Sequence, residues 1–282
     1  MSHPVLLIDG VKRPDALKWL YATDASREIV PLYAGTRWRQ LMEHGPILAL
    51  LNVGSPLLHA WNNHDRTLQG QASLLYSRAS VADIARHLRQ FIQMRDVHGS
   101  YSLVRFADPL VTRYWLSGYS DVAMEHVLGP INEWHVATLP PAWDPARPVI
   151  RKVFRHHPSN GGYDQPLDLL GTGQLEALQQ ACRHLFHERL YRHLQSLSPT
   201  TLEPLAPDQR ERWLDRSLDD ALAWGANSER GAALWALCRA RLGEGFADCA
   251  DGPFQRCLAR LPEVRTLAHD ARLQAVADML FV

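Results

Sequence analysis

The feature that most limits how this chain folds is a change in its hydrophobic pattern about halfway along. Up to residue 138, short apolar runs typical of strands alternate with segments whose apolar residues recur at helical spacing. From Thr172 onward, the periodic segments are all helical. The first pattern predicts an α/β lobe with a mixed or mostly parallel sheet, and the second predicts a C-terminal all-helical lobe.

Several elements of the first lobe can be placed from local signals. The run VLLID (5–9) and the run ILALLNV (47–53) are continuously apolar, and the second is expected inside a sheet. The run EIVPLY (28–33) is interrupted by Pro31, which favours a position at a sheet edge. Ser80, followed by Asp83, predicts the start of the most regular amphipathic helix of this half.

A change of composition marks the boundary between the lobes. Prolines accumulate between residues 139 and 173, together with Gly161 and Gly162, which predicts an irregular crossing with little regular structure. We therefore expect an α/β lobe at residues 1–140, a Pro/Gly-rich crossing at 141–172 and a helical bundle at 173–282.

Composition excludes some classes of function. The 282 residues contain 30 basic and 30 acidic side chains, and no predicted helix carries a basic stripe, so nucleic acid is not an expected partner. No apolar run is long enough to cross a bilayer and no signal peptide is recognisable, so we expect a cytoplasmic protein that is not a membrane protein. None of its four cysteines has metal-binding spacing, and buried free thiols are expected instead.

The stretch RFADPLVTR (105–113) allows two interpretations. Arg105, Asp108 and Arg113 crowd the end of a predicted strand, where α/β proteins often bind ligands. Alternatively, Asp108 caps a helix that begins at Pro109, while a nearby arginine neutralises the carboxylate. We favour the cap, because no nucleophile or base accompanies these residues at a recognisable spacing.

Other candidate sites have weaker support. His184, His187 and Glu188 share a predicted helix, but HExxH is absent and the helix has the pattern of a solvated face. The predicted crossing also contains His156, His157, Asp164 and Asp168, but no fixed geometry is expected there. The sequence has no phosphate-binding loop, dinucleotide motif or nucleophile elbow. We predict no catalytic, metal-binding or cofactor-binding residues.

Tryptophan is the most conspicuous residue type of the helical half. Trp213, Trp224 and Trp235 lie on its predicted helices. Large aromatic residues usually occupy cores, yet they are also enriched at the centres of protein interfaces. These three are therefore our candidates for binding a partner.

Six segments, in this order and spacing, carry a resemblance to a known family. They are LLIDG (6–10), PLYAGT (31–36), GPILALL (45–51), LLYSRASVADIARHLRQFI (74–92), SLVRFADPLV (102–111) and LGPINEW (128–134). Together they resemble the DUF4123 family, the adaptor or chaperone proteins encoded beside type VI secretion effectors. The motif residues expected to hold the scaffold are Asp9, Gly10, Gly35, Gly45, Pro46, Arg105, Phe106, Asp108, Pro109, Gly129 and Pro130.

The chain departs from the family pattern at a few positions. Where the family resembles F-R-F-Y-D-P-R, this sequence has Ala107 in place of the tyrosine and Leu110 in place of the second arginine. Leu128 stands where an aromatic residue often precedes Gly-Pro. The helical half matches no family motif.

The resemblance implies a non-enzymatic role. Such proteins bind a cognate toxin and help to load it onto the VgrG spike, often through a PAAR-like part. We expect the α/β lobe to be the shared scaffold and the helical lobe to contribute partner choice, so that deletion from about Thr172 onward abolishes effector capture while the first lobe stays folded. The alternative is a hydrolase with an unrecognised site around Arg105, Asp108 and His98.

Overall fold

The computed structural model describes residues 2–156 and 166–281, which form two compact units. The first unit comprises Met1–Pro140 and Pro148–Cys182, and the second comprises Pro141–Arg147 and Arg183–Val282. The expected crossing at 141–172 is thus divided between the two units.

The first unit contains the α/β part of the chain. Its strands are β1 (His3–Asp9), β2 (Ser26–Pro31), β3 (Pro46–Leu51), β4 (Ala72–Ser77), β5 (Gln93–Asp96), β6 (Tyr101–Leu103), β7 (Ile131–Thr138), β8 (Ile150–Arg155) and β9 (Leu169–Leu170). Its helices are α1 (Ala16–Thr23), α2 (Pro56–Asn62), α3 (Arg66–Gln71), α4 (Val81–Leu88), α5 (Pro109–Ser117) and α6 (Asp121–Leu128), with short 3₁₀ helices at Arg39–His44 and Arg89–Phe91.

The main sheet is antiparallel, so the expected mixed or mostly parallel sheet is wrong. Over the described residues it has six strands in the order β2-β3-β1-β4-β7-β8, and all neighbours run antiparallel. The physical reason is that a third strand lies between two strands that run in the same direction. β1 and β2 run in the same direction and are connected through α1, but β3 lies between them; β1 likewise lies between β3 and β4. A parallel pair occurs only between β5 and β9 in the smaller sheet β6-β5-β9 of the described chain.

Helices cover both faces of the main sheet, which explains its continuously apolar strands. Along β1, Val5 and Leu7 belong to one buried cluster with α4 and α5, whereas Leu6 and Ile8 belong to another with α1 and α2. Because successive side chains point to opposite faces, a strand between two helical layers must be apolar throughout. The positions of β2 at an edge and of β3 inside the sheet are confirmed.

The crossing contains more regular structure than expected. β8 pairs with β7 from Glu133 opposite Arg155 to Thr138 opposite Ile150, and it forms the edge of the main sheet. The basic, weakly alternating sequence IRKVFR obscures this strand, because an edge strand with little burial needs few apolar residues. Residues 157–165, including His157 and Asp164, lie outside the described part of the chain.

The second unit is helical, as expected. The division between the units falls within α7 (Thr172–Leu197), and the helices that follow are α8 (Pro199–Leu202), α9 (Pro207–Trp224), α10 (Glu229–Leu242), α11 (Pro253–Arg260) and α12 (His269–Phe281). The segment Pro141–Arg147 packs into this unit through buried Trp143, and Arg147 forms ion pairs with Asp144 and Glu211 at 2.9 and 2.6 Å. Of the helices in the described residues, none has the length and apolarity to span a membrane.

Candidate functional site

A cluster of four charged side chains joins two distant parts of the first unit. Arg105 Nη2 donates a hydrogen bond to Asp9 Oδ2 at 2.6 Å and lies 3.5 Å from Asp108 Oδ2. Lys12 Nζ lies 2.9 Å from Asp108 Oδ1. We call Asp9, Lys12, Arg105 and Asp108 the charged corner. It unites the first and fifth of the sequence segments that carry the family resemblance.

The turn after β1 fixes Asp9 in this corner. The Asp9 Oδ1 atom accepts a hydrogen bond from the Val11 amide at 2.8 Å, which closes the turn. The Gly10 amide donates to the Gly45 carbonyl at 3.1 Å, and a Cβ on Gly10 would lie only 2.3 Å from the Glu43 carbonyl oxygen. Glycine at position 10 is therefore required because the two backbones approach too closely for any side chain.

Asp108 caps α5, as the sequence predicted. Its Oδ1 atom accepts a hydrogen bond from the Leu110 amide at 3.0 Å, and Pro109 occupies the first turn of the helix. The Thr112 hydroxyl donates to the Asp108 carbonyl at 2.9 Å and tightens the same turn. The expected nearby arginine is Arg105, which lies 3.5 Å from Asp108 Oδ2 but makes its shorter contact with Asp9, at 2.6 Å. A contact across so many residues has no local sequence signal.

The corner has a buried acidic side and a more accessible basic side. The side chains of Asp108 and Asp9 are 0% and 4% exposed, whereas those of Arg105 and Lys12 are 41% and 32% exposed. Cations and backbone N–H groups lie against both carboxylates. Positive charge is therefore what this corner presents to solvent.

Tyr33 lies beside the charged corner, and the charges there influence the pKa of its hydroxyl. Burial raises the pKa of the Tyr33 hydroxyl above its usual value, the negative charge of Asp9 raises it further, and the positive charge of Arg105 opposes both. The phenol is therefore neutral at physiological pH and can act as a hydrogen-bond donor.

A pocket of about 270 Å³ opens next to the charged corner. Four polar side chains and a larger number of apolar ones line it. They are Asp9, Tyr33, His44 and Arg105, together with Val11, Leu41, Pro46, Leu103, Val104 and Ala107. Each of the segments is recognisable in the sequence, but their meeting at one pocket depends on the strand order, which the sequence did not reveal.

The remaining family motif residues support the scaffold. Phe106 is fully buried and packs against Phe91 and Trp115 at ring distances of 6.4 and 6.1 Å. Gly129 has a φ of +53°, and a Cβ there would lie 2.4 Å from the His87 ring. The Pro130 carbonyl accepts a hydrogen bond from the Ser77 hydroxyl at 2.5 Å.

The three tryptophans of the second unit differ in accessibility. Trp235 is buried and, with Trp224, forms an aromatic cluster at a ring distance of 5.1 Å that includes Phe246 and Phe254. Trp213 is half-buried beneath the Arg239 guanidinium, 5.4 Å from the ring centre, and lines a separate pocket of about 260 Å³. Trp213 is therefore a partner-binding candidate that lies beside a pocket.

Among the candidate residues from the sequence, His98 belongs to the first unit, whereas His187 and Glu188 belong to the second. His98 lies exposed in the turn between β5 and β6, and it does not line the pocket. His187 is buried against Trp143, and burial lowers its pKa; Glu188 accepts a hydrogen bond from the Ala142 amide. Within residues 2–156 and 166–281, no group of three or more His, Cys, Asp or Glu side chains has the arrangement of a metal site.

The geometry defines the first unit as an α/β scaffold whose charged motif residues hold a corner beside an apolar pocket. A comparison with protein-family models matches residues 6–124 to the domain of unknown function DUF4123. This match confirms the resemblance to the DUF4123 family over residues 6–124, as the sequence segments indicated. The search of curated proteins and the search of solved structures each gave no match.

Proposed function

We propose that this protein is a non-enzymatic cytoplasmic adaptor that binds a cognate type VI secretion effector and promotes its loading onto the VgrG/PAAR spike. The proposal extends to this chain the role that its resemblance to adaptors encoded beside such effectors implies. The DUF4123 match over residues 6–124 supports the family assignment on which the proposal depends.

One structural observation carries the non-enzymatic part of the proposal. The charged motif residues of the matched segment are committed to holding the scaffold: Asp108 caps α5 while fully buried, and Asp9 closes the turn after β1. Donors occupy Asp108 Oδ1 and both oxygens of Asp9, and Asp108 Oδ2 is buried opposite Arg105. Carboxylates held in this way are poorly suited to attack a substrate or to transfer a proton. Motif residues used in this way are expected in a family of binding scaffolds.

The hydrolase alternative finds less support in the same geometry. It requires Arg105, Asp108 and His98 to act together on one substrate. Arg105 and Asp108 face each other, but His98 occupies an exposed turn, and its amide donates to Asp96 Oδ1 at 2.9 Å. His98 is therefore not positioned as a base beside the two charged residues, and we retain the adaptor as the proposed function.

Partner choice is assigned in this proposal to the helical unit. Trp213 supports the assignment because it combines a half-buried aromatic surface with Arg216 and Arg239 at the rim of one pocket. Aromatic and arginine side chains together are typical of the energetic centres of interfaces. The fully packed Trp235 supports it less, since a core side chain has little surface to offer.

The direct test is capture of the toxin that this proposal expects to be encoded beside the gene. The tagged full-length protein is co-expressed with the product of the neighbouring toxin gene, and co-elution is measured by size-exclusion chromatography. We expect a stable complex, and we expect deletion of the adaptor gene to abolish delivery of that toxin while secretion of VgrG continues. Normal delivery of the toxin in the deletion strain would contradict the proposal.

Truncation of the chain is a poor test of the division of labour between the units. Deletion from Thr172 onward would also remove Leu175 and Leu178, which pack against the core of the first unit, and Gln174, which donates to the Gly118 carbonyl at 2.7 Å. Single substitutions in the full chain are therefore preferable. We expect Trp213→Ala to weaken toxin capture more than Tyr21→Ala, an exposed aromatic position on α1 of the first unit.

A further inference from the structure

We propose that the pocket beside the charged corner binds a segment of a partner protein in which a large apolar side chain stands next to a carboxylate. This inference rests on the proposed role in protein binding and adds a second contact site, on the α/β unit, with a defined chemistry.

The first observation is an apolar rim. Val11, Leu41 and Leu103 come from three separate segments, and they are 49%, 46% and 45% exposed although all three line the same pocket. Single exposed apolar residues are ordinary on protein surfaces, but several around one concavity indicate a surface that is covered by another molecule. Burial of this rim by a partner would release water from apolar surface and favour binding.

The second observation is the size of the pocket. At about 270 Å³ it lies below the roughly 300–1,000 Å³ that is typical of sites for whole small molecules. A volume of this order is suited to one large side chain. Anchoring by one apolar side chain in a pocket, with less important contacts around it, is the usual arrangement at the energetic centre of a protein interface.

The third observation is the charge at the edge of the pocket. Arg105 uses Nη2 for its contacts with Asp9 and Asp108, and no described residue accepts a hydrogen bond from its Nε or Nη1 groups. The two carboxylates are buried, so the exposed charge facing the pocket is positive. A guanidinium with unused donors favours a carboxylate partner, because charge-assisted hydrogen bonds are the stronger ones.

The test uses random 12-residue peptides displayed on phage, selected on the full-length protein, so that it does not depend on the identity of the effector. We expect selected peptides to share an aliphatic or aromatic residue next to Asp or Glu. Leu103→Asp is expected to weaken their binding at least tenfold, because it puts a charge in the apolar rim. Val53→Asp is the control, since Val53 is 90% exposed and lies outside the pocket.

A second rim variant, Leu41→Asp, provides an independent test if Leu103→Asp misfolds. Thermal denaturation identifies the variants that remain folded. A folded rim variant that binds the peptides as tightly as the wild type would overturn the proposal. So would the absence of any selected peptide, or a selected set without the apolar–acidic pair.

The carboxylate is tested in the peptide, because Arg105 also holds the scaffold. Replacement of the selected Asp or Glu by Asn or Gln should weaken binding about tenfold, and equal binding would remove the acidic part of the proposal. A second copy of this chain could also occupy the rim, and light scattering tests this alternative. A dimer that is lost in Leu103→Asp would assign the site to self-association and overturn the proposal.

Different results would refute the adaptor role and the peptide-binding site. Capture of the toxin together with failure of peptide binding leaves the adaptor role intact and refutes this site. Specific peptide binding at the rim, together with normal toxin delivery in the absence of the protein, refutes the secretion role and retains the site.

Discussion

Asp108 caps α5 and also contacts two cations, so it should contribute more to stability than a helix cap alone. Its Oδ1 atom accepts from the Leu110 amide and also lies 2.9 Å from Lys12 Nζ. Its Oδ2 atom faces the Arg105 guanidinium at 3.5 Å. The side chain therefore stabilises the start of α5 and compensates two cations at once.

Replacement of Asp108 should separate these two contributions. The sequence alone suggests a loss of about 1 kcal/mol for Asp108→Ala, the usual value for a cap. With the charged contacts added, we expect the free energy of unfolding to fall by about 2 kcal/mol. Asp108→Asn keeps a capping oxygen and should lose less. Urea denaturation measures both variants. Equal losses would show that the capping oxygen contributes nothing, and an unchanged stability of Asp108→Asn would show that the charge contributes nothing.

Two glycines with positive φ differ in how much an added Cβ should destabilise the fold. Gly35 has a φ of +74°, and a Cβ there would meet no atom within 4 Å, whereas a Cβ on Gly129 would meet the His87 ring at 2.4 Å. Gly35→Ala should cost about 1 kcal/mol, the ordinary penalty of the left-handed region. Gly129→Ala should cost clearly more, because its ψ of −113° lies outside the left-handed helical region and because the His87 ring must also move. Thermal unfolding that ranks the variants in the opposite order would contradict this explanation.

His87 makes the first unit sensitive to mild acid. Burial lowers the pKa of His87 below its usual value of 6.5, and only the contact of Nε2 with the Val127 carbonyl at 2.7 Å opposes this. The neutral ring is therefore favoured in the folded state. Its contribution to stability is complete above about pH 6.5 and is lost as the pH falls towards the lowered value.

The variant His87→Gln tests this contribution. It removes the titrating group and retains a side-chain N–H donor, so we expect its stability to change less between about pH 7 and pH 5 than that of the wild type. Chemical denaturation at several pH values gives the two slopes. Parallel slopes would assign the acid sensitivity to other groups, such as buried His187, whose pKa burial also lowers.

At the scale of elements, the sequence predicted most strands and helices of the first unit but not the direction of their pairing. The apolar runs that became β1, β3 and β4 were recognisable because helices cover both faces of the sheet. Their alternation with helices does place strands such as β1 and β2 in the same direction. A third strand separates each such pair, and nothing in local sequence reports such an insertion.

The candidate site, likewise, was only partly predictable from the sequence. The cap at Asp108 and the turn at Asp9-Gly10 were visible locally, because capping residues and glycine have short-range signatures. The ion pair between Asp9 and Arg105 and the pocket beside it result from tertiary packing. The exposed rim residues Leu41 and Leu103 gave no sequence signal, since exposure cannot be read from residue type.

At the scale of the molecule, each unit has its own buried aromatic anchor. Trp134 is fully buried in the first unit, 6.3 Å from the Trp115 ring. Trp143, a short distance later in the chain, is buried in the second unit and packs against His184 at 5.1 Å. The chain thus changes from one core to the other within a brief stretch of sequence.

Alanine substitutions of these two tryptophans should act on different units. Each is expected to cost about 3 kcal/mol, the magnitude for removal of a large buried aromatic side chain. Amide hydrogen exchange followed by mass spectrometry should show faster exchange mainly in the first unit for Trp134→Ala and in the second for Trp143→Ala. A uniform increase throughout the chain for either variant would mean that the units unfold as one.

The extent of the main sheet has a practical consequence for work on this gene. The family match ends at residue 124, but β7 begins at Ile131 and supplies the hydrogen-bonded neighbour of β4, and β8 follows only at Ile150. A fragment cut at the limits of the match would leave the β4 backbone bare beside Leu74 and Leu75, an open edge that promotes aggregation. A fragment that keeps this sheet complete must therefore include β7 and β8, and the unit to which they belong extends to residue 182, well beyond the end of the family match.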